Sequence, residues 1–508
     1  MGNTLLNGMK SATNYTLTEN GGITHKTTNS DLLDMFAMGA AMRNRSDEDV
    51  ILMFKKAFEE NAELAMKMLF YIRDVRGGQG ERRFFRVIMH WAATQRDIRE
   101  SVAKNIEFFP EFGRWDDLYC LMDTPLAKNA LELMKTQLAL DVQCKTPSLL
   151  AKWLKSENAS SVETQRLANI TRQYFGMTHK EYRKILSVMR ARINVLEVLM
   201  SANRWDEIEF DKIPSKAGMI YKNAFARRDI IKAKYEAFAK DEKTKVNAAT
   251  LYPYEVVEKA IDLMGSQDYW GRGRGIPLDN VDRLMINKYW DNLTDFFNGA
   301  KLNALCMIDT SGSMSGTPIN VATSLGLYCA ERNHGPWHNH YISFSSRPQL
   351  IETSGVDFCD KVDRIVRTNL CENTNIEAAF DMVLNTAVRN RLSDADMPEY
   401  MIVISDMEFD SATGNRWNSH GNGIRTANAE TVMESIERKF NLAGYHMPKM
   451  IYWNVDARQA NIPMIGNHYV SYVSGFSPSI FKSILTGKTG WDLMLEAIDS
   501  ERYACIHA

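Results

Sequence analysis

From residue 304 onward, five short apolar runs recur, Ala304–Ile308, His340–Phe344, Met401–Ser405, Met450–Val455 and His468–Val473, with helix-like stretches between most of them. Runs of this length read as strands buried on both faces. Their alternation with helices predicts a mainly parallel, doubly wound α/β sheet. Polar loops in such a sheet gather at the carboxyl ends of the strands, where ligands bind. Candidate site residues are therefore those just past the end of each run.

Two runs end in carboxylates. Ala304–Ile308 passes into Asp309-Thr310-Ser311-Gly312-Ser313, and Met401–Ser405 into Asp406. The first loop carries one carboxylate and two hydroxyls at alternate positions, so they can converge while Thr310 and Gly312 turn away. All are hard oxygen donors, which suit Mg2+ or Mn2+ rather than zinc or copper. Thr374, just ahead of the helix-like run Ile376–Asn390, offers a further hydroxyl. Together these residues resemble the metal-ion-dependent adhesion site of von Willebrand factor A domains. The resemblance implies Asp309, Ser311, Ser313, Thr374 and Asp406 as the metal site, with Mg2+ or Mn2+ as cofactor. Cys371 and Glu372 stand where that family's Thr loop is often glycine-rich. A fold of this class whose site has lost its metal reads the same way.

The front of the chain follows a different grammar. From Asp31 to about Trp290, apolar residues recur at three- and four-residue spacing, as at Val50 to Phe58, Ala62 to Ile72 and Arg183 to Met200. Gly77-Gly78-Gln79-Gly80, Pro110, Gly113, Pro125, Pro147, Gly176 and Pro214 separate them. Successive helices with short turns predict a bundle or a stack of helix pairs. The Gly77–Gly80 turn reads as a helix C-cap or as a phosphate cradle, the former being preferred. Residues 1–30 are polar and predict an extended arm. The expected division is thus an arm over 1–30, a helical domain over 31–298 and the α/β domain over 299–508.

Several strings carry a wider resemblance: Tyr71 to Arg82 (YIRDVRGGQGER), Phe112 to Leu118 (FGRWDDL), Leu150 to Leu154, Trp205 to Ile208, Ser405 to Asp410 and Ser474 to Ser477. They resemble an uncharacterised family of eukaryotes and large DNA viruses, itself similar to the TROVE-domain Ro ribonucleoproteins. That resemblance implies a HEAT-like, possibly ring-shaped helical part closed by a von Willebrand A-like domain. It also implies a noncatalytic protein that binds small noncoding or misfolded RNA, or single-stranded 3′ ends; the scattered cysteines and the lack of a membrane-length stretch predict a reducing, cytoplasmic setting, and a monomer is expected. Gly176-Met177-Thr178-His179-Lys180-Glu181-Tyr182 is similar to a string on the RNA-binding side of Ro proteins, which implies RNA contacts at His179 and Lys180, with Arg172 upstream. Arg190 and Arg192 are further basic candidates. The plainer reading makes Thr178 a helix cap with His179 on the first turn.

Bulk properties set limits. The chain has 508 residues and a formal net charge of −2, so no global basic field points to nucleic acid. Residues 1–300 hold 44 Lys+Arg against 40 Asp+Glu, and residues 301–508 hold 17 against 23, which permits an anionic partner at the front. Seven scattered cysteines form no Cys-x-x-Cys pair, which argues against a zinc ribbon or a disulfide framework. No stretch has the length of a membrane span. Gly487-Lys488-Thr489 lacks the first glycine of a P-loop, and His334, His338 and His340 lack a carboxylate or thiolate to complete a metal site. Two alternatives to RNA binding stand: a metal-dependent scaffold that captures an acidic residue of a protein partner, and a metal-dependent phosphoesterase.

Overall fold

A computed structural model describes residues 14–193, 195–264, 279–344, 348–368, 375–410, 431–465 and 470–508. It contains two compact units. One joins Met1–Met68 to Leu251–Glu501, and the other joins Leu69–Thr250 to Arg502–Ala508. This division departs from the boundaries at 30 and 298 read from sequence, because segments flanking the helical region pack with the sheet.

The first unit is built on a six-stranded sheet. Its strands are β3 (Ala304–Asp309), β4 (His340–Phe344), β5 (Gln349–Glu352), β6 (Tyr400–Ser405), β7 (Lys449–Asn454) and β8 (Val470–Ser474), in the order β5-β4-β3-β6-β7-β8. All neighbours are parallel except β4 with β5. The five apolar runs therefore become the five parallel strands. Every residue of β3, β6 and β8 is buried, as strands covered on both faces require. β5 has no counterpart among the apolar runs because its residues are mostly exposed. Helices Thr317–Arg332, Ile376–Asn390 and Val432–Leu442 fill the crossovers. Gly326 lets the first of these lie close against β3, since a Cβ there would meet Ile308 Cδ1 at 2.1 Å.

The front of the chain also belongs to this unit. Tyr15–Leu17 (β1) and Ile23–His25 (β2) form an antiparallel hairpin where an extended arm was expected. Helix Asp31–Met38, capped by Ser30, buries Leu32, Met35, Phe36, Ala37 and Met38 and packs against β7 and β8. Ser474 Oγ seals that contact: it donates to Phe36 O (2.8 Å) and accepts from Ala40 N (3.1 Å). Helices Pro253–Met264 and Asn280–Asp291 pack against Thr317–Arg332 and Phe358–Thr368, and Trp290 stacks on Phe358 with ring centroids 4.2 Å apart.

Among its described residues the second unit is built from helices, which include Arg83–Thr94, Ala127–Gln143, Val162–Phe175, His179–Arg192, Ser215–Ala226 and Asp229–Lys240, with one isolated bridge between Pro214 and Asn247. Phe70, Phe85, Phe109 and Phe112 pack edge to face, and Tyr503 stacks on Phe112. The Gly77–Gly80 turn comes after the end of Ala62–Arg73. Gln79 N–H donates to Tyr71 O (3.1 Å) and Glu81 N–H to Ile72 O (2.8 Å), while Gly80 takes φ +67°. Those N–H groups satisfy helix carbonyls, so the turn serves as a cap. Below it, Arg73 and Asp117 form an ion pair at 2.6 Å with both side chains at most 1% exposed.

Candidate functional site

β3 and β6 are neighbours in register, with Ile308 opposite Ile404, so Asp309 and Asp406 emerge side by side at the carboxyl edge of the sheet. Both are buried, at 0% and 1% exposure. Asp309 Oδ1 accepts from Ser311 N (2.9 Å), and its Oδ2 accepts from Ser405 Oγ (2.6 Å). Ser311 and Ser313 turn toward each other with hydroxyls 3.0 Å apart. Burial, and then the charge of Asp406, push the Asp309 carboxyl up to about 7. Two buried carboxylates side by side destabilise one another unless a positive charge lies between or beside them.

One such charge is present. Arg458, in the loop after β7, donates from Nη2 to Asp406 Oδ2 (2.7 Å), and its Nη1 lies 2.8 Å from Glu19 Oε2. Asp406 Oδ1 accepts from Glu408 N (3.2 Å). Met407 between them sits at φ +65°, a left-handed position uncommon for a side chain of its size, which turns the chain sharply after β6. Glu408 is fully buried, and burial raises its carboxyl to about 7; it accepts from Glu19 N (2.6 Å) and Asn461 Nδ2 (2.8 Å).

The residues fit a hard divalent cation. Asp309 with the Ser311 and Ser313 hydroxyls supplies oxygen donors on one loop, and Asp406 adds a second negative charge that Arg458 only partly offsets. Among the described residues no group of three or more His, Cys, Asp or Glu converges as a metal site, so the donor set here is half hydroxyl. Thr374 lies outside the described residues.

The N-terminal hairpin borders this site, in a segment whose sequence predicts an extended arm. Thr18 Oγ1 donates to Phe409 O (2.6 Å), Gly21 bridges Asp410, and His25 exchanges backbone hydrogen bonds with Ile462 at 3.0 and 2.9 Å. Alternating Tyr15-Thr16-Leu17 and Ile23-Thr24-His25 around Asn20-Gly21 were the signal, since Asn-Gly between alternating runs marks a hairpin. Nothing in the sequence marked Arg458, whose role depends on which strand ends meet.

The five residues that the resemblance implies for RNA, or that add basic charge to it, lie in the helical unit, and most are engaged within the fold. Arg190 donates to Ala151 O (2.9 Å), Leu154 O (2.8 Å) and Ser156 Oγ (2.9 Å). Arg192 donates to Asp141 O, Val142 O and Cys144 O at the end of helix Ala127–Gln143. Arg172 pairs with Glu157 at 2.9 Å, and His179 Nδ1 lies 2.7 Å from the same carboxylate. Lys180 is exposed. Thr178 caps its helix in a reciprocal box with Glu181.

Comparison with known proteins places these residues in context. Residues 18–148 and 136–294 match the model of a domain of unknown function, DUF2828, and residues 303–502 match that of another, DUF7788. The chain is 30% identical to the uncharacterized protein L728 of Acanthamoeba polyphaga mimivirus over 94% of its own length and 85% of that protein. A crystal structure of the Ro (RSR) protein of Deinococcus radiodurans is similar at a TM-score of 0.48 and 13% identity, covering 93% of this chain and 100% of that one.

Proposed function

For a chain that belongs to the DUF2828 family, we propose a noncatalytic RNA-binding protein that holds Mg2+ or Mn2+ at the carboxyl edge of its sheet. The observation that carries the cation is the buried Asp309–Asp406 pair beside the Ser311 and Ser313 hydroxyls. When bound, the cation supplies a positive charge with coordination positions left over for a ligand oxygen. Asp309, Ser311, Ser313 and Thr374 would hold it directly, and Asp406, tethered by Arg458, would balance its charge. Mostly hydroxyl donors leave the ion electrophilic and suited to holding an anionic oxygen, whereas two-metal hydrolytic sites use carboxylate-rich sets.

The RNA half of the reading is supported by the sequence resemblance to Ro-type proteins. The same donor set favours a second reading, capture of an acidic side chain of a protein partner. Titration of the purified full chain with Mn2+, monitored by electron paramagnetic resonance, tests the cation: saturable binding lost in Asp309→Ala supports it, and identical binding by that variant overturns it. Retention of a labelled single-stranded RNA at rising salt tests the partner. Affinity that falls steeply with salt supports phosphate contacts, and no retention at low salt leaves the acidic-partner reading.

A further inference from the structure

One cluster in the helical unit holds more positive charge than the carboxylates paired within it neutralise. Asp117 accepts from Arg73 on Oδ2 (2.6 and 2.9 Å) and from Arg86 on Oδ1 (2.6 Å). Asp116 pairs with Arg86 at 2.9 Å. Those two acids are thereby matched by two arginines. Around them stand Arg82 at the start of helix Arg83–Thr94, Arg114 beside the turn Trp115–Leu121, and Lys155 just past helix Leu150–Trp153. None of these three is within ion-pair distance of a carboxylate among the described residues.

Their side chains are not all splayed into water. Arg114 and Lys155 are half-buried, and Arg82 is exposed. The Arg114 guanidinium lies 4.7 Å from the Trp153 ring centroid, with Lys152 Nζ 5.6 Å from the same ring, and Lys155 Nζ lies 5.1 Å from the Tyr119 ring. The group is under like-charge stress. Burial, then the neighbouring Arg82, hold Arg114 below the usual guanidinium value; burial first, with Arg86 and Arg82 adding, does the same to Lys155 against the opposing pull of Asp116. A surface lysine serving only solubility would extend away from such neighbours.

We propose that Arg82, Arg114 and Lys155 form a binding site for the phosphate of a nucleotide, with Trp153 as the adjoining stacking surface. Five cations against two carboxylates leave the charge of three to be balanced, and a phosphate oxygen cluster accepts from forked guanidinium donors in the geometry they offer. The aromatic face beside the charge selects a ligand with a base attached. This site rests on the RNA-binding reading where the nucleotide is part of a strand, yet it stands without it where the nucleotide is free.

The experiment uses the full chain, a fluorescein-labelled single-stranded oligoribonucleotide and, separately, AMP read by Trp fluorescence. Arg82→Gln and Lys155→Gln should each weaken oligonucleotide binding roughly tenfold, as removal of one charge-assisted hydrogen bond does. Each should also reduce the slope of log affinity against log salt by about 0.7 for each phosphate no longer neutralised. Lys55→Gln, an exposed cation of the sheet unit, serves as the control. The thermal midpoint of the ligand-free variants should hold or rise, because each relieves like-charge repulsion, and this separates weakened binding from a damaged fold. Binding and slope unchanged in both variants overturn the site while leaving RNA binding intact. Absent oligonucleotide binding, with AMP binding lost in Lys155→Gln, sustains the site and overturns the RNA reading; neither ligand binding overturns both.

Discussion

The two units gather opposite kinds of electrostatic imbalance, one fully buried and one half-exposed. At the edge of the sheet, Asp309 and Asp406 crowd together with Arg458 as partial relief. In the helical unit, Arg82, Arg114 and Lys155 crowd around two acids already matched by Arg73 and Arg86. Crowding unmatched charge is costly, and places where a fold retains it are candidates for a ligand of opposite sign. On the proposed readings, a cation would complete the first and a phosphate the second. What separates structural from ligand-directed charge is therefore the count of partners, and residue type says little about it.

The contrast can be broken most severely inside the helical unit. Arg73→Ala leaves the buried Asp117 with Arg86 and the Arg114 amide but without its second charged partner, and should cost about 3–5 kcal/mol in chemical denaturation of the full chain. A loss below about 1 kcal/mol would place Arg73 with the unmatched cations. Next comes the cation itself. Mg2+ at a hundredfold excess over its Kd should stabilise the protein by about 2.7 kcal/mol, seen as a rise in thermal midpoint that Asp309→Asn abolishes. The same variant in chelator should lose little stability, since it removes one of two repelling carboxylates. Thr178→Ala should cost about 1 kcal/mol in the same thermal assay, as loss of a helix cap does, which would assign the Thr178–Glu181 string to the fold.

The smallest effect concerns the hairpin. Burial holds the His25 imidazole below its ordinary value, against an opposing pull from Glu434. A folded-state value below the unfolded one means that its contribution is present above about pH 6.5 and is lost as pH falls through the lowered value. Hydrogen exchange at Tyr15–His25 should therefore quicken, after correction for intrinsic rates, between neutral and mildly acidic pH, and His25→Asn should flatten that dependence.

The parallel sheet was legible because buried strands leave continuous apolar runs, and a loop at the end of such a run shows its polar residues in order. Asp309, Ser311 and Asp406 could thus be placed side by side from sequence. Arg190 and Arg192 could not be sorted from Arg82 and Arg114, because all four look alike on a helical pattern. Carbonyls at Ala151, Leu154 and Cys144 absorb the first two, and only the packed unit puts those carbonyls within reach. β5 was illegible for the opposite reason: a short, mostly exposed strand at the sheet's margin carries too few apolar residues to register.

The seal between Ser474 and Phe36 also has a temporal side. Its two ends are separated by 438 residues of chain. At a synthesis rate of about 5–20 residues per second, helix Asp31–Met38 leaves the ribosome roughly 20–90 seconds before β8 exists to cover it. Throughout that interval Leu32, Met35 and Phe36 have no sheet to lie on. The nascent front of this protein thus carries an apolar face whose cover is completed only when nearly the whole chain has been made.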